Sequence, residues 1–111
     1  MTDTPLADRP CTPSGPGEPP LAGKPIGPLL AQLPGWTVVD EHHLHRQFDL
    51  DGYLPGVEFI NKIAALAEDV GHHPDLHLTW GKLVVTLYTH AINGLCEADF
   101  VLAARIDRLA R

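Results

Sequence analysis

The sequence predicts an α+β fold of two layers, in which a four-stranded antiparallel sheet carries helices packed on one face. Two predicted β-hairpins, separated by one long amphipathic helix, are the first observation. A second long helix, predicted after the second hairpin, is the other observation. Hairpins pair antiparallel, and helices between and after them cover one side of the resulting sheet, which defines the α+β class.

Proline is concentrated at the beginning of the chain, which divides the sequence into two parts. Nine of the eleven prolines fall within the first 34 of the 111 residues. Residues 1–24 are dominated by proline and glycine, so they bury too little apolar surface to offset the entropy lost on ordering. We therefore predict a flexible tail over residues 1–24 and one folded domain over residues 25–111.

The charge and the apolar pattern exclude several classes of protein. Eight Lys and Arg against fourteen Asp and Glu give a net charge of −6, whereas nucleic-acid binding requires a basic surface. No apolar run approaches the roughly 18 residues of a membrane helix, and the first residues lack the apolar stretch of a secretory signal. The sequence therefore predicts a cytoplasmic protein that binds neither nucleic acid nor membranes.

The first half of the domain predicts a short helix followed by a hairpin. Residues 26–33 have the composition of a short helix. Residues 36–39 and 44–50 predict two strands, because Leu44 and Phe48 lie on the same face at the period of two that a strand imposes.

The second half predicts a long helix, another hairpin and a last helix. Apolar residues recur at helical spacing over residues 55–70, and Gly71 is a typical residue to end such a helix. Residues 76–80 and 82–90 predict the second hairpin. Residues 97–111 predict a helix with apolar residues on two sides, so we expect one face to meet the sheet and the other to meet a partner subunit.

Three of the seven histidines are predicted to lie close together. His72 and His73 follow the predicted end of the long helix, and His90 ends the returning strand of the second hairpin. Because the two ends of a hairpin lie side by side, His90 returns close to the other two. Imidazoles donate and accept protons near neutral pH, and Glu68, one turn upstream, is placed to orient a ring.

Other interpretations of these residues remain open at this point. His73 and His77 are four residues apart, but Pro74 excludes the helix that would join them in a zinc site. In an extended segment His73, Asp75 and His77 share a face, without a Glu in an HExxH arrangement, so a metal site is only weakly supported and none is assigned. His73 is also compatible with a simple turn and His90 with a half-buried strand position. Asp99 is compatible with a capping box in which Cys96 is the N-cap.

The other four histidines are expected to be bystanders. The cluster at residues 42–45 contains His42, His43 and His45 and is predicted to form a solvated turn. His77 is expected to lie on a strand without a role in chemistry.

The stretch from residue 68 to residue 107 resembles the pterin-4a-carbinolamine dehydratase family. The family pattern comprises an acidic residue, a His-His-Pro sequence, an aromatic residue, a third histidine and a final aspartate. All of its positions are filled, by Glu68, His72, His73, Pro74, Trp80, His90 and Asp99. The similarity covers about residues 26–111, with Cys96 standing where many members carry a serine or threonine cap.

The resemblance implies a four-stranded α+β domain that assembles as a homodimer or homotetramer. It implies dehydration of 4a-hydroxytetrahydropterin to quinonoid dihydropterin and water, which recycles the tetrahydropterin cofactor of aromatic amino acid hydroxylases. The pterin is then the substrate, and no metal, nucleotide or other cofactor is required.

The resemblance also assigns roles to the site residues. His72 and His90 are expected to donate a proton to the leaving hydroxyl, and His73 to bind the pterin and accept a proton. Glu68 and Asp99 are expected to orient the imidazoles. Trp80, the aromatic residue of the pattern, is expected to support the site by packing.

Two other functions occur among proteins of this family. Animal members also act as dimerisation cofactors of a homeodomain transcription factor, and some bacterial relatives are assembly chaperones of Rubisco that have lost the dehydratase activity. Relatives without activity are expected to have gaps in the histidine pattern. This chain has none, which favours the enzyme.

Overall fold

A computed structural model describes residues 4–110; residues 1–3 and 111 lie outside the described range. Two short 3-10 helices supplement the predicted elements, and the order of the elements is the predicted one. The bounds are a 3-10 helix Leu6–Asp8, α1 Ile26–Leu30, β1 Thr37–Val39, β2 His43–Asp49, α2 Tyr53–Val70, β3 Asp75–Thr79, β4 Lys82–Leu87, a second 3-10 helix His90–Ile92 and α3 Glu97–Leu109.

The sheet has four strands in the order β1-β2-β4-β3, and each neighbouring pair is antiparallel. Leu44 lies opposite Leu87, and Phe48 lies opposite Leu83. Because directly opposed residues share a face, these four buried side chains make one face of the sheet apolar. The prediction of a four-stranded antiparallel sheet is therefore confirmed.

The helices supply the second layer. Ile63 of α2 and Phe100 of α3 join one apolar core with Leu44 and Leu83 of the sheet. The opposite face carries polar positions such as His77 and is more exposed. The predicted α+β class is thus confirmed, and none of the helices described here is long and apolar enough to cross a bilayer.

The N-terminal arm, residues 4–24, differs from the flexible tail that its composition predicts. The side chain of Leu6 is only 2% exposed and belongs to the core. Arg105 of α3 donates to the carbonyl of Ala7 at 3.1 Å and to the carbonyl of Arg9 at 2.6 Å. The arm is held in place by one well-buried leucine, Leu6, and by the side chain of Arg105, which binds two backbone carbonyls. It needs no regular apolar pattern.

The arm also explains why α3 is apolar on two sides. Ala98, Val101 and Leu102 of this helix are buried within one copy of the chain. The 3-10 helix Leu6–Asp8 packs against α3. The second face that was expected to meet a partner subunit is therefore covered by residues of the same chain.

Replacing Leu6 with alanine is expected to lower the free energy of unfolding by about 2 to 5 kcal/mol, the usual cost of truncating a leucine in a core. Urea unfolding followed by circular dichroism measures the change. Leu54→Ala is the matched control, because Leu54 is 72% exposed and should change the stability by less than about 0.5 kcal/mol. Equal stability of the Leu6 variant and the control would show that the arm adds nothing to the core.

Candidate active site

The end of α2 places two adjacent histidines in different surroundings. Gly71 has a φ of 68°, in the left-handed region that glycine enters without strain. The N–H groups of Gly71 and His72 both donate to the carbonyl of Ala67, at 2.9 and 3.2 Å. After this turn His72 points inward and is 6% exposed, whereas the side chain of His73 is 60% exposed.

Asp99 is the centre of a buried hydrogen-bond network. Its Oδ1 accepts from Nε2 of His72 at 2.5 Å. Its Oδ2 accepts from the hydroxyl of Thr89 at 2.9 Å and from the backbone N–H of Cys96 at 2.9 Å. Asp99 is fully buried. The two interpretations that the sequence left open are compatible, because one carboxylate both caps α3 and holds the imidazole of His72.

This network decides which atom of His72 is available for chemistry. A carboxylate oxygen can only accept, so Nε2 of His72 carries the hydrogen. Its Nδ1 is then the acceptor of the neutral ring and the second donor of the protonated ring. Among the described residues no fully buried side-chain nitrogen or oxygen lacks a hydrogen-bond partner, so a ring nitrogen without a protein partner is open to solvent. His72 can therefore exchange a proton through Nδ1 while Asp99 fixes the orientation of its ring.

His73 has its own carboxylate partner. Its Nε2 donates to Oε2 of Glu68, one turn back along α2. Both side chains are exposed, unlike the buried pair formed by His72 and Asp99. The contact restrains the ring of His73 but leaves it in water, which suits a residue that meets the substrate at the surface of the site.

His90 lies just beyond the sheet rather than in the predicted strand. β4 ends at Leu87, and the backbone N–H of Thr89 donates to the carbonyl of Gly94 at 2.8 Å. This short loop carries His90 on a 3-10 helix. The imidazole of His90 stacks on the ring of Tyr88 with their centroids 4.2 Å apart.

His42 supports the same loop, although the sequence predicts a bystander. Its ring packs on Tyr88, the residue that also stacks on His90, with a centroid distance of 4.6 Å. Its Nε2 donates to the side-chain oxygen of Asn93 at 2.9 Å. His42 therefore connects the hairpin turn between β1 and β2 to both sides of the loop that carries His90.

The three predicted histidines line one cavity, which we call the histidine cavity. Its volume is about 330 Å³. His72 and His73 come from the end of α2, and His90 comes from the loop after β4. Pro13 and Ser14 of the N-terminal arm also line it. Sequence reasoning missed these two residues, because nothing in the local pattern shows that the arm returns to the histidines.

Trp80 does not lie at the histidine cavity. It occupies the tip of the hairpin between β3 and β4 and is 76% exposed. Asp75, at the other end of β3, lines the cavity. Five residues of extended chain separate the two by roughly 16 Å, so within one chain Trp80 cannot pack on the histidines. Within a single copy of the protein no contact supports the predicted role of Trp80, which stays a prediction.

A larger cavity of about 550 Å³ lies between β2, α2 and the end of α3. Arg46 and Lys62 are among its lining residues, and none of the predicted site residues lines it. Arg46 is already paired with Asp107 at 2.7 Å. The larger cavity is lined by the carboxylates of Asp49 and Glu58 but by no histidine. The smaller cavity is the candidate active site, because it is lined by three histidines, whose imidazoles transfer protons near neutral pH.

Comparison with known proteins identifies the family of this chain. The family model described as pterin 4 alpha carbinolamine dehydratase matches residues 19–109. The chain belongs to this family. It is 48% identical over 104 residues to a protein of Rubrobacter xylanophilus, a match that covers 94% of this chain and 97% of the relative. A Rickettsia bellii protein is 47% identical over 105 residues, with coverage of 94% and 93%. The names of both relatives assign them provisionally to the dehydratases.

Two solved structures of family members share the fold. A protein of Brucella melitensis, described as a transcriptional coactivator/pterin dehydratase, has a TM-score of 0.78 and 29% identity and covers 83% of this chain and 99% of its own. A pterin dehydratase-like RuBisCO assembly factor of the alpha-carboxysome has a TM-score of 0.59 and 28% identity, with coverage of 68% and 89%. The family fold therefore carries more than one function.

Proposed function

We propose that this protein dehydrates 4a-hydroxytetrahydropterin to quinonoid dihydropterin and water by general acid–base catalysis. The observation that carries the proposal is the histidine cavity, which three histidines line and in which the imidazole of one of them is fixed by a buried carboxylate. Membership of the dehydratase family supports the choice of reaction.

The reaction needs two proton transfers and no change of oxidation state. The bond between C4a and the hydroxyl oxygen breaks, and the oxygen leaves as water after it accepts a proton from an imidazolium. The lone pair of N5 forms the N5–C4a double bond, and the N5 proton passes to a neutral imidazole. One donor and one acceptor are therefore sufficient, and the protons lost and gained by the protein balance.

The surroundings of the histidines suit these roles. His72, whose Nε2 is held by Asp99, presents Nδ1 as the transferring atom, and the carboxylate fixes the orientation of the ring. His90, on the loop after β4, is the second donor to the leaving hydroxyl. His73, held by Glu68 at the surface, binds the pterin and accepts the N5 proton.

The direct test mixes the purified protein with chemically generated 4a-hydroxytetrahydropterin and follows quinonoid dihydropterin by absorbance. We expect the wild-type protein to accelerate the dehydration well beyond the rate in buffer. A folded sample that gives only the buffer rate would contradict the proposal.

No metal or cofactor takes part in the proposed reaction, because the pterin is the substrate and the transferred groups are protons. Incubation with excess EDTA followed by gel filtration is therefore expected to leave kcat and KM unchanged. A loss of activity that a divalent cation restores would contradict this expectation.

We propose a cytoplasmic homodimer or homotetramer that recycles the pterin of an aromatic amino acid hydroxylase. The alternative is a family member without activity that assists protein assembly, as the structural similarity to the RuBisCO assembly factor allows. The complete set of histidines and their carboxylate partners favours the enzyme. The dehydration assay distinguishes the two, and light scattering measures the oligomeric state.

A further inference from the structure

We propose that the N-terminal arm is part of the substrate site, with Pro13 and Ser14 forming a wall of the histidine cavity that contacts the bound pterin. Both residues line the cavity together with His72, His73 and His90. This inference rests on the proposed function. It adds a binding element that lies before residue 19, where the family-model match begins.

Contacts with α3 fix the arm on one side of the cavity. Leu6 is buried in the core, and Arg105 binds the carbonyls of Ala7 and Arg9. The thiol of Cys11 donates to the carbonyl of Ala98 at 3.5 Å. These contacts extend to within two residues of Pro13, so the wall begins from an anchored position.

Contacts with the loop after His90 fix the arm on the other side. The N–H of Leu21 donates to the carbonyl of Leu95 at 2.7 Å. Pro20 packs so closely on Gly94 that a Cβ at this glycine would lie 2.7 Å from Cβ of the proline. The segment from Cys11 to Leu21 therefore crosses from α3 to the loop that carries the third histidine.

The two anchors place the wall before any substrate binds. Glu18 and Gly15 close the intervening turn, in which the N–H of Glu18 donates to the carbonyl of Gly15 at 3.2 Å. A segment ordered in advance does not lose that entropy when a ligand binds. The ordered wall therefore strengthens substrate binding and leaves the rate of the chemical step unchanged.

The chemistry of the two side chains matches a pterin. The substrate is uncharged, with nitrogen and oxygen atoms along one edge and saturated carbons in its second ring. The proline ring offers an apolar surface to those carbons, and the serine hydroxyl both donates and accepts a hydrogen bond. Ser14 is therefore a substrate-binding residue, whereas proton transfer belongs to the histidines.

Ser14→Ala is expected to raise KM roughly three- to tenfold and to leave kcat within about twofold, because one hydrogen bond shared by substrate and transition state is lost. The dissociation constant of 7,8-dihydropterin, measured by equilibrium dialysis, should rise by the same factor. Thr12→Ala is the matched control, because Thr12 is exposed and does not line the cavity. It should have the wild-type KM.

Arg105→Met tests whether the position of the arm matters for binding, because Arg105 holds the arm on α3 and does not line the cavity. Loss of its two bonds to the arm should raise KM and make Cys11 react faster with iodoacetamide. In the docked arm, burial raises the pKa of the Cys11 thiol, and the nearby charge of Arg105 lowers it by less. Release of the arm removes the larger effect together with the smaller one, so more of the thiol ionises and reacts. Cys11→Ser shows that the label is on this residue, because Cys96 is buried.

The outcomes separate this proposal from the proposed function. If the wild-type protein is active and both variants keep its KM and its affinity for 7,8-dihydropterin, the role of the arm is overturned and the dehydratase stands. If the wild-type protein binds 7,8-dihydropterin without catalysis and Ser14→Ala weakens binding, the role of the arm stands alone. A wild-type protein that neither binds nor dehydrates a pterin overturns both.

Discussion

Asp99→Asn is expected to lower kcat by about 100-fold, within the range of a lost general acid–base group. Three donors converge on the two oxygens of Asp99, from His72, Thr89 and Cys96. Asparagine offers one oxygen and an amide group that donates, so at least one donor loses its acceptor. If the amide faces the imidazole, Nε2 of His72 becomes the acceptor and cannot carry a hydrogen, so the ring no longer forms the imidazolium that donates from Nδ1.

The same substitution is expected to lower the free energy of unfolding by about 1 to 3 kcal/mol, the cost of an unsatisfied buried group. Asp107→Asn is the matched control, because it replaces another hydrogen-bonded carboxylate and separates a loss of stability from a loss of kcat. Asp107 lies on the same helix and binds Trp36 at 3.0 Å and Arg46 at 2.7 Å, away from the histidine cavity. Steady-state kinetics should show the wild-type kcat for the control. Equal kcat values for the two variants would contradict the positioning role of Asp99.

His72→Ala and His90→Ala are each expected to reduce kcat by about 100-fold or more, the usual scale for a general acid. The reduction should be smaller in one of them only if the other histidine substitutes as the donor. His77→Ala is the matched control, because His77 is exposed on the opposite face of the sheet. Initial rates at saturating pterin measure the effect. A wild-type rate in both variants would contradict the assignment of His72 and His90 as proton donors.

The sheet and the long helices could be predicted because their signals are local. Alternation in β2 puts Leu44 and Phe48 on one face, and the helical spacing of apolar residues identifies α2. The meeting of His72 with His90 also follows from sequence, since an antiparallel hairpin returns the chain to its starting edge. These predictions needed no knowledge of distant contacts.

The N-terminal arm could not be predicted in the same way. Its composition predicts a segment without a core of its own, and the structure agrees that it forms only one 3-10 helix, Leu6–Asp8. Its order comes instead from long-range partners, such as Arg105, which lies 98 residues from Ala7. A single buried leucine in a segment rich in proline and glycine leaves no periodic signal.

Trp80 shows the opposite limit of sequence reasoning. Its spacing from His73 fits the family pattern, but the predicted strands 76–80 and 82–90 already put Trp80 at the tip of the hairpin, away from the histidines. Thr89 and Tyr88 were missed for another reason. Their roles depend on a turn just beyond β4, where Thr89 reaches Asp99 and Tyr88 supports His90.

In the proposed reaction the imidazoles of the histidine cavity perform the dehydration. The most direct test compares the initial rate of 4a-hydroxytetrahydropterin dehydration by the wild-type protein with that of the double variant His72→Ala/His90→Ala. We expect the wild-type protein to accelerate the reaction and the double variant, with its circular dichroism spectrum unchanged, to fall to the rate in buffer. A folded double variant that keeps the wild-type rate would contradict the account.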